Sequence, residues 1–247
     1  MTTVHIGTMG WSYKFWTENF YPKGLDAQEF LIEYSKQFDT VEVDSTFYRI
    51  PYKTAVAKWR DQTPTDFLFS VKFPRIITHV KMLKNCEKET ERFIKTIAQL
   101  EAKLGPMLIQ LPPIFKAEHL SLLRDFLPML PSKYRYALEV RNVSLLDSEL
   151  YSLLQENGVA LVLLDRSLFP KIETVMGADF AYIRWEGDRK SVNGILGKVE
   201  VDRTADIKMW AQKIKEFLDI PIEVFGYFSK YYSGHPPTDA KQLLNLL

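Results

Sequence analysis

The amino-acid sequence predicts a single α/β domain of the (β/α)8 TIM-type barrel class. Its 247 residues match the usual length of one such barrel. Eight short apolar runs resemble strands that are buried on both faces, and most are followed by an amphipathic stretch with helical spacing. No Gly/Ser-rich or Pro-rich linker divides the chain. We therefore treat residues 1–247 as one domain, an irregular barrel in which some helices are short or missing.

The predicted strands are rich in Val, Ile, Leu and Phe, and they alternate with the predicted helices. In chain order, the strands are Val4–Thr8, Thr40–Thr46, Phe67–Phe73, Met107–Leu111, Tyr136–Arg141, Val159–Asp165, Phe180–Glu186 and Ile222–Phe228. The helices are Ala27–Phe38, Glu87–Leu104, His119–Leu130, Ser148–Asn157, Ala205–Leu218 and Asp239–Leu246. This alternation predicts parallel strands that close into a barrel.

Local signals support individual elements. Phe30, Tyr34 and Phe38 recur at helical spacing in the first helix. The pairs Gly105-Pro106 and Asn157-Gly158 each end a helix and precede a strand. An open doubly wound sheet is the main competing fold, and it normally binds a dinucleotide through a glycine-rich turn after its first strand. Trp11 follows the corresponding glycines here and would block a pyrophosphate, so the barrel is favoured.

Composition excludes several classes of protein. The hydrophobic share of 46% and the charged share of 26% are typical of a globular domain and argue against disorder. A net charge of +1 gives no general attraction to nucleic acid or to an anionic membrane. Cys86 is the only cysteine, no signal peptide is evident, and no apolar run reaches the roughly 18 residues of a membrane span. We expect a cytoplasmic protein that does not enter the membrane.

Charged residues lie in or at the ends of these apolar strands. Because side chains alternate along a strand, residues of equal parity share one face. Glu42, Lys72 and Glu139 occur near the C-terminal ends of strands two, three and five, the end at which such barrels carry their sites. We predict that these three are catalytic, with the two carboxylates as an acid/base pair and a neighbouring cation holding one of them ionised.

Other polar or aromatic side chains are predicted to bind the substrate because they lie at or just beyond strand ends. They are Trp11, Tyr48, Arg75, His79, Gln110, Arg141, Asp165, Arg184 and Tyr227. The segment Gly187–Gly197 after strand seven contains Arg189 and Lys190, at a position where barrels often bind phosphate. Its motion would close the site. A flexible solvated loop is the alternative interpretation.

Two alternatives concern the charged ring itself. Its carboxylates, which include Glu186, and its cations would also form a salt-bridge network that only fills the barrel. Lys72 would act as a Schiff-base nucleophile in one interpretation and as an ion-pair partner in the other. The four histidines are scattered and lack metal-binding spacing, so we assign no metal ligand and require no cofactor. Carboxylate-bound Mg²⁺ or Mn²⁺ is kept as an alternative.

Six motifs taken in order resemble the DUF72 (YecE-like) family. They are Gly7–Tyr13, Phe20–Pro22, Val41–Arg49, Val71–Arg75, Gln110–Pro113 and Glu139–Arg141. The resemblance covers nearly the whole chain and implies a TIM-like barrel of uncharacterised function. It marks as motif positions Trp11, Glu42, Ser45, Tyr48, Lys72, Gln110, Glu139 and Arg141.

The chain departs from the family's usual pattern at two places. Asn142–Leu145 lacks the tryptophan that often follows the Glu-x-Arg motif, and Phe228–His235 replaces an Asn-rich loop after the last strand. The second departure lies on the rim after strand eight, and the loops after strands seven and eight are where the chain's own substrate specificity is expected to arise.

The leading functional hypothesis is a cytosolic enzyme acting on a small anionic molecule, such as a phosphorylated sugar or a nucleotide. Its chemistry would be of the acid/base type used by hydrolases, lyases and isomerases. One alternative is a non-catalytic module that binds a nucleic-acid end or a partner protein through exposed aromatic and basic side chains. Another is a metal-dependent nuclease or hydrolase. The fold alone does not distinguish them, and no oligomeric state is assigned.

Overall fold

The computed structural model describes residues 3–166, 169–170, 177–219 and 222–247. Its strands are parallel and short, and seven α-helices lie among them in these ranges. The strands are β1 (Val4–Thr8), β2 (Thr40–Val43), β3 (Leu68–Lys72), β4 (Leu104–Gln110), β5 (Tyr136–Glu139), β6 (Val159–Leu161), β7 (Leu163–Arg166), β8 (Phe180–Gly187) and β9 (Glu223–Phe228). The helices are α1 (Phe30–Ser35), α2 (Lys53–Asp61), α3 (Glu87–Ile97), α4 (Leu120–Phe126), α5 (Ser148–Asn157), α6 (Thr204–Leu218) and α7 (Pro236–Leu244).

The strands follow the order of a TIM-type barrel but form two parallel sheets. One sheet has the order β1-β9-β8-β7 and the other β2-β3-β4-β5-β6. The sheets meet where only Val162 separates β6 from β7, so these two are halves of the predicted sixth strand. At the other seam, Met9 and Glu42 form an isolated bridge and the Gly10 amide donates to the Glu42 carbonyl at 2.8 Å. The TIM-type prediction is confirmed, although the ladder is not one closed ring.

Apolar side chains form two buried layers around the strands. The larger layer fills the space between strands and helices, and it includes Trp16, Phe73 and Trp185. The smaller layer lies within the ring of strands and includes Leu108 and Tyr182. Both faces of the strands are covered, and this explains why the strand sequences are continuously apolar. Among the described residues, no helix combines the length and apolar content that crossing a membrane requires.

Two glycines with left-handed backbone conformations differ in the space around them. The predicted loop Gly187–Gly197 is anchored at its end, where the Asn19 side-chain amide donates to the Gly197 carbonyl at 2.7 Å. Gly197 has φ +66°, and a Cβ there would overlap the Phe15 carbonyl oxygen. Gly24 has a similar φ of +78° but open space around it. A side chain at either position would strain the backbone, but only at Gly197 would it also overlap another atom.

Gly197→Ala is expected to destabilise the fold more than Gly24→Ala. A left-handed backbone costs a non-glycine residue about 1–2 kcal/mol at either position. The overlap with Phe15 should add at least about 2 kcal/mol at Gly197 alone. Urea unfolding followed by circular dichroism measures both free energies. Equal losses in the two variants would show that the loop is not held against Phe15 as described.

Candidate functional site

A buried arginine from β8 organises the C-terminal end of the barrel. The Arg184 guanidinium grips the Glu42 carboxylate with two hydrogen bonds, from Nε at 3.0 Å and from Nη2 at 2.8 Å. Its Nη1 donates to Glu139 and, at 2.8 Å, to Glu186. One guanidinium therefore links carboxylates from β2, from β5 and from its own strand. Such charges are tolerated inside a protein only when they are paired in this way.

Three further side chains complete this buried network. Arg141, just beyond β5, donates to both Glu139 and Glu186. The Gln110 amide donates to Glu139 at 3.0 Å, and the Tyr182 hydroxyl donates to Glu42 at 2.7 Å. Tyr182 and Arg184 have equal parity in β8, so alternation along the strand explains why both reach the interior.

The pKa values of the two central carboxyl groups are shifted in opposite directions. Burial raises the pKa of Glu42 to about 7, and the attraction of Arg184 only partly offsets this effect. Burial would also raise the pKa of Glu139, but Arg141, Arg184 and Lys72 outweigh it and lower the pKa to about 2. Glu139 is therefore ionised at neutral pH, while Glu42 lies near its midpoint.

A cavity of about 700 Å³ opens directly above this network, at the C-terminal ends of the strands. Its volume falls within the range of small-molecule sites. The lining includes Arg141, Arg184 and Glu186 at the floor and five aromatic side chains around the walls, namely Trp11, Tyr13, Phe47, Tyr48 and Tyr231. We call this space the mouth cavity.

One side of the mouth cavity follows β2 and β3. Asp44, Lys72 and His79 line it, and we call these residues the β2–β3 wall. Lys72 Nζ lies 3.8 Å from Asp44 Oδ1 and 4.3 Å above the Phe47 ring. Burial, together with Lys72, Arg75 and Arg141, lowers the pKa of His79 to about 4, so its imidazole is neutral at pH 7.

The other side of the mouth cavity follows β7, β8 and β9. Arg166, Arg189 and Lys230 line it, and we call these residues the β7–β9 wall. Arg166 Nε lies 3.8 Å from Glu186 Oε2. Arg189 and Lys230 form no ion pair in the described part of the chain, and each lies over the Tyr231 ring, at 4.8 and 5.1 Å. This wall therefore presents more positive charge than neighbouring carboxylates neutralise.

The structure brings most of the predicted site residues together. Seven line the mouth cavity, namely Trp11, Tyr48, Lys72, His79, Gln110, Arg141 and Arg184. Glu42 and Glu139 lie beneath its floor, with side chains that are fully buried. These two carboxylates therefore contact guanidinium groups rather than the cavity.

Three predicted binding residues lie outside the cavity. Arg75 is exposed and does not line it. Asp165 accepts a hydrogen bond from the Trp210 indole at 2.7 Å, and Tyr227 is buried with its hydroxyl 2.8 Å from Thr40 and 2.7 Å from Ser70. Tyr227 is thus on the inward face, but it lies too deep in the barrel to reach the cavity.

The register explains why Asp165 points outward. It pairs with Trp185, which lies between the inward-facing Arg184 and Glu186. Residues side by side in a sheet share a face, so Asp165 faces the helices. The register shifts between Asp165 and Arg166, and Arg166 reaches the cavity instead.

Three charged residues that line the cavity were not predicted from the sequence, namely Asp44, Arg166 and Lys230. Asp44 has the same parity as Glu42, and this signal was available. Lys230 lies two residues beyond the last strand, where no alternation indicates its direction. Within the described ranges, no group of three or more His, Cys, Asp or Glu side chains forms a metal-binding arrangement.

A second ion cluster, which is only partly buried, lies at the opposite end of the barrel. His5 Nδ1 is 2.6 Å from Asp39 and its Nε2 is 3.0 Å from Glu223, which also accepts from Arg135. Burial alone would lower the pKa of His5, but its two carboxylate partners raise it to about 9. Barrels of this type carry their catalytic sites at the C-terminal face, so we assign this cluster at the N-terminal face to stability.

Comparison with known proteins places this arrangement in a family. The model described as "Protein of unknown function DUF72" matches residues 5–247. The chain belongs to the DUF72 family. This agrees with the resemblance that the motifs from Gly7–Tyr13 to Glu139–Arg141 predicted.

Relatives of this DUF72 chain include the UPF0759 protein YecE of Escherichia coli K12. The two are 32% identical over 167 residues, which cover 66% of this chain and 59% of that protein. The match thus spans about three fifths of the relative's length. A DUF72 family protein of Thermotoga maritima has a similar structure, with a TM-score of 0.81 at 28% identity over 99% of this chain and 98% of that one.

A more distant neighbour identifies the wider fold. The D-psicose 3-epimerase of Clostridium cellulolyticum matches this DUF72 chain with a TM-score of 0.55 at 11% identity, over 98% of this chain and 91% of that one. At this identity the likeness concerns the fold alone.

Proposed function

We propose that this DUF72 chain is an enzyme that binds a small anionic molecule in the mouth cavity and transfers a proton on it. The observation that carries the proposal is the surplus of positive charge on the β7–β9 wall. Arg166 has only a distant carboxylate partner at 3.8 Å, and Arg189 and Lys230 have none in the described ranges. In a purely structural network, carboxylates would be expected to neutralise the cations. The charge of these three residues is largely unneutralised and is therefore available to bind an anionic ligand.

The partly enclosed setting makes this charge effective. Guanidinium groups bind phosphate and carboxylate through paired hydrogen bonds, and they do so more strongly where water is excluded. The aromatic walls add faces on which a sugar or a nucleobase stacks. A phosphorylated sugar or a nucleotide fits both this lining and the cavity of about 700 Å³.

Proton transfer is assigned to the side chains that reach the cavity. Lys72 and Asp44 line it and lie within 3.8 Å of each other. Such a pair can donate and accept a proton on opposite sides of a bound group. Glu42 and Glu139 do not contact the ligand, and their role is to hold Arg184 and Arg141 in place. They are positioning residues in this proposal.

The donor set does not suit a divalent cation. Mg²⁺ and Mn²⁺ require several free carboxylate or carbonyl oxygens. Glu42, Glu139 and Glu186 are already engaged by Arg184, and Glu186 is also engaged by Arg141. We therefore route no step of the proposed reaction through a metal.

Arg189→Gln is expected to weaken the binding of anionic ligands while leaving the fold intact, because its side chain is exposed. The matched control is Lys190→Gln, which removes the same charge from the same loop but does not line the cavity. Thermal unfolding is measured with inorganic phosphate, ribose 5-phosphate or AMP added. At the same ligand concentration, the Tm of wild type and of Lys190→Gln should rise clearly more than that of Arg189→Gln.

Other outcomes of this experiment would contradict the proposal. The absence of a Tm shift with every anion would remove its basis. Stabilisation by single-stranded oligonucleotides alone would favour a nucleic-acid-end module. Catalysis is checked by incubating each stabilising compound with wild type and with Lys72→Met and following conversion by proton NMR. Conversion by both proteins at the same rate would exclude Lys72 from the chemistry.

A further inference from the structure

The two walls of the mouth cavity differ in charge balance. On the β2–β3 wall, the Lys72 ammonium faces the Asp44 carboxylate and His79 is neutral. On the β7–β9 wall, Arg166 has one distant partner, Glu186 at 3.8 Å, and Arg189 and Lys230 form no ion pair with any described residue. Since β3 and β8 belong to different sheets on either side of the cavity, the balanced and the positive wall face each other.

The balanced wall contains polar groups with unused hydrogen-bonding capacity. Asp44 Oδ1 is buried and accepts no hydrogen bond from the described residues. Its nearest cationic nitrogens, Lys72 Nζ and Arg184 Nη2, are each 3.8 Å away, too far for a hydrogen bond. Lys72 Nζ likewise donates to no described acceptor and rests against Phe47. Leaving a buried acceptor unsatisfied is unfavourable. The side chains of Lys72 and Asp44 are 10% and 36% exposed and both line the mouth cavity, so the pair is suited to a ligand that bonds to both.

The chemistry of that ligand group follows from its two neighbours. A phosphate or carboxylate would be repelled by Asp44 and by Glu139 below, and an ammonium would be repelled by Lys72. A hydroxyl donates one hydrogen bond and accepts others, so a single hydroxyl satisfies Asp44 and Lys72 together. The neutral His79 imidazole, whose Nδ1 lies 2.9 Å from the Thr78 hydroxyl, adds a further polar contact without a charge.

We infer that the ligand is a hydroxylated organic phosphate bound in one direction across the mouth cavity. A hydroxyl lies between Asp44 and Lys72, and the phosphate lies against Arg166, Arg189 and Lys230. This inference rests on the proposed function and narrows it to ligands of the phosphorylated-sugar type. Asp44 is thereby the residue that distinguishes a sugar phosphate from a phosphate ester without hydroxyls.

The test compares ligands that differ only at one end. Isothermal titration calorimetry measures the affinities of ribose 5-phosphate, n-butyl phosphate and ribose for wild type, Asp44→Ala, Arg189→Gln and the control Lys190→Gln. Wild type should bind ribose 5-phosphate at least about tenfold more tightly than butyl phosphate, since hydrogen bonds to charged groups are the strong ones. Arg189→Gln should weaken both phosphates, and Lys190→Gln neither.

Asp44→Ala should weaken the binding of ribose 5-phosphate but not that of butyl phosphate. Ribose 5-phosphate should bind about tenfold more weakly because its hydroxyl loses an acceptor. Butyl phosphate should bind as well or better, because removing the carboxylate leaves Lys72 unopposed. A merely structural role of Asp44 would weaken both ligands alike. Thermal unfolding without ligand confirms that the variant is folded.

The outcomes separate this inference from the proposed function. Equal affinity of wild type for the two phosphates, or equal weakening of both by Asp44→Ala, would overturn the inference and leave anion binding in place. Failure of wild type to bind either phosphate would overturn both.

Discussion

Arg184→Met is expected to destabilise the protein by at least about 4 kcal/mol at pH 7, which is enough to unfold a marginally stable domain. The substitution keeps the volume of the side chain but leaves Glu42, Glu139 and Glu186 without their shared partner. Glu42 and Glu139 are fully buried and Glu186 is 8% exposed, so water does not replace the lost contacts. Breaking a buried ion pair costs far more than the pair contributes, because a charge is left unpaired in a medium of low polarity.

Urea unfolding followed by circular dichroism tests this expectation. The matched control is Arg124→Met, because Arg124 pairs with Glu149 on the surface, where the side chains are 58% and 60% exposed. That loss should be under about 1 kcal/mol. Adding Glu42→Gln to Arg184→Met should restore part of the stability, since one buried charge is removed. Small and equal losses for Arg184→Met and Arg124→Met would show that the network under the cavity is not buried as described.

The elements that could be predicted from sequence are those with local signals. β1 and α5 have the predicted bounds. The α5 helix is specified at both ends: Asp147 accepts a hydrogen bond from the Leu150 amide, and Gly158 closes the helix in a left-handed conformation. By contrast, α2 was not predicted. Val56 is its only buried residue, so the helix lacks the apolar stripe on which periodicity depends.

The residues of the candidate site could largely be predicted from the sequence, but their height along the barrel axis could not. Strand parity correctly grouped Tyr182 with Arg184, because alternation is a local property of one strand. It could not show that Glu42 lies beneath the cavity while Asp44 lines it, since both have the same parity and differ only in height along the barrel. The register shift beside Asp165 depends on the neighbouring strand, and no single-strand pattern contains it.

Glu42→Gln is expected to flatten the dependence of stability on pH. Burial raises the pKa of Glu42 from 4.5 to about 7 in the folded state. Below pH 4.5 the carboxyl is protonated in both the folded and the unfolded chain and costs nothing. Between the two pKa values, only the unfolded chain releases the proton, so the free energy of unfolding falls as pH rises. The total loss is about 3 kcal/mol and is complete above pH 7.

Glutamine at this position does not titrate, so the variant lacks this loss. The free energy of unfolding of Glu42→Gln minus that of wild type should therefore increase by about 3 kcal/mol between pH 4.5 and pH 8. Glu139, whose pKa is lowered to about 2 in the folded state, is present in both proteins, so its own contribution cancels in the difference. Burial also raises the pKa of Asp239 to about 7, but that residue is the same in both proteins and cancels in the difference.

Urea unfolding at several pH values from 4.5 to 8 gives this difference directly. Glu18→Gln serves as the control, because the Glu18 side chain is 62% exposed and its curve should run parallel to that of wild type. Parallel curves for Glu42→Gln as well would mean that Arg184 and Tyr182 fully compensate the burial of the Glu42 charge. A rising difference would instead show that a carboxyl with a pKa near neutral pH lies beneath the floor of the mouth cavity, below the groups proposed to act on the ligand.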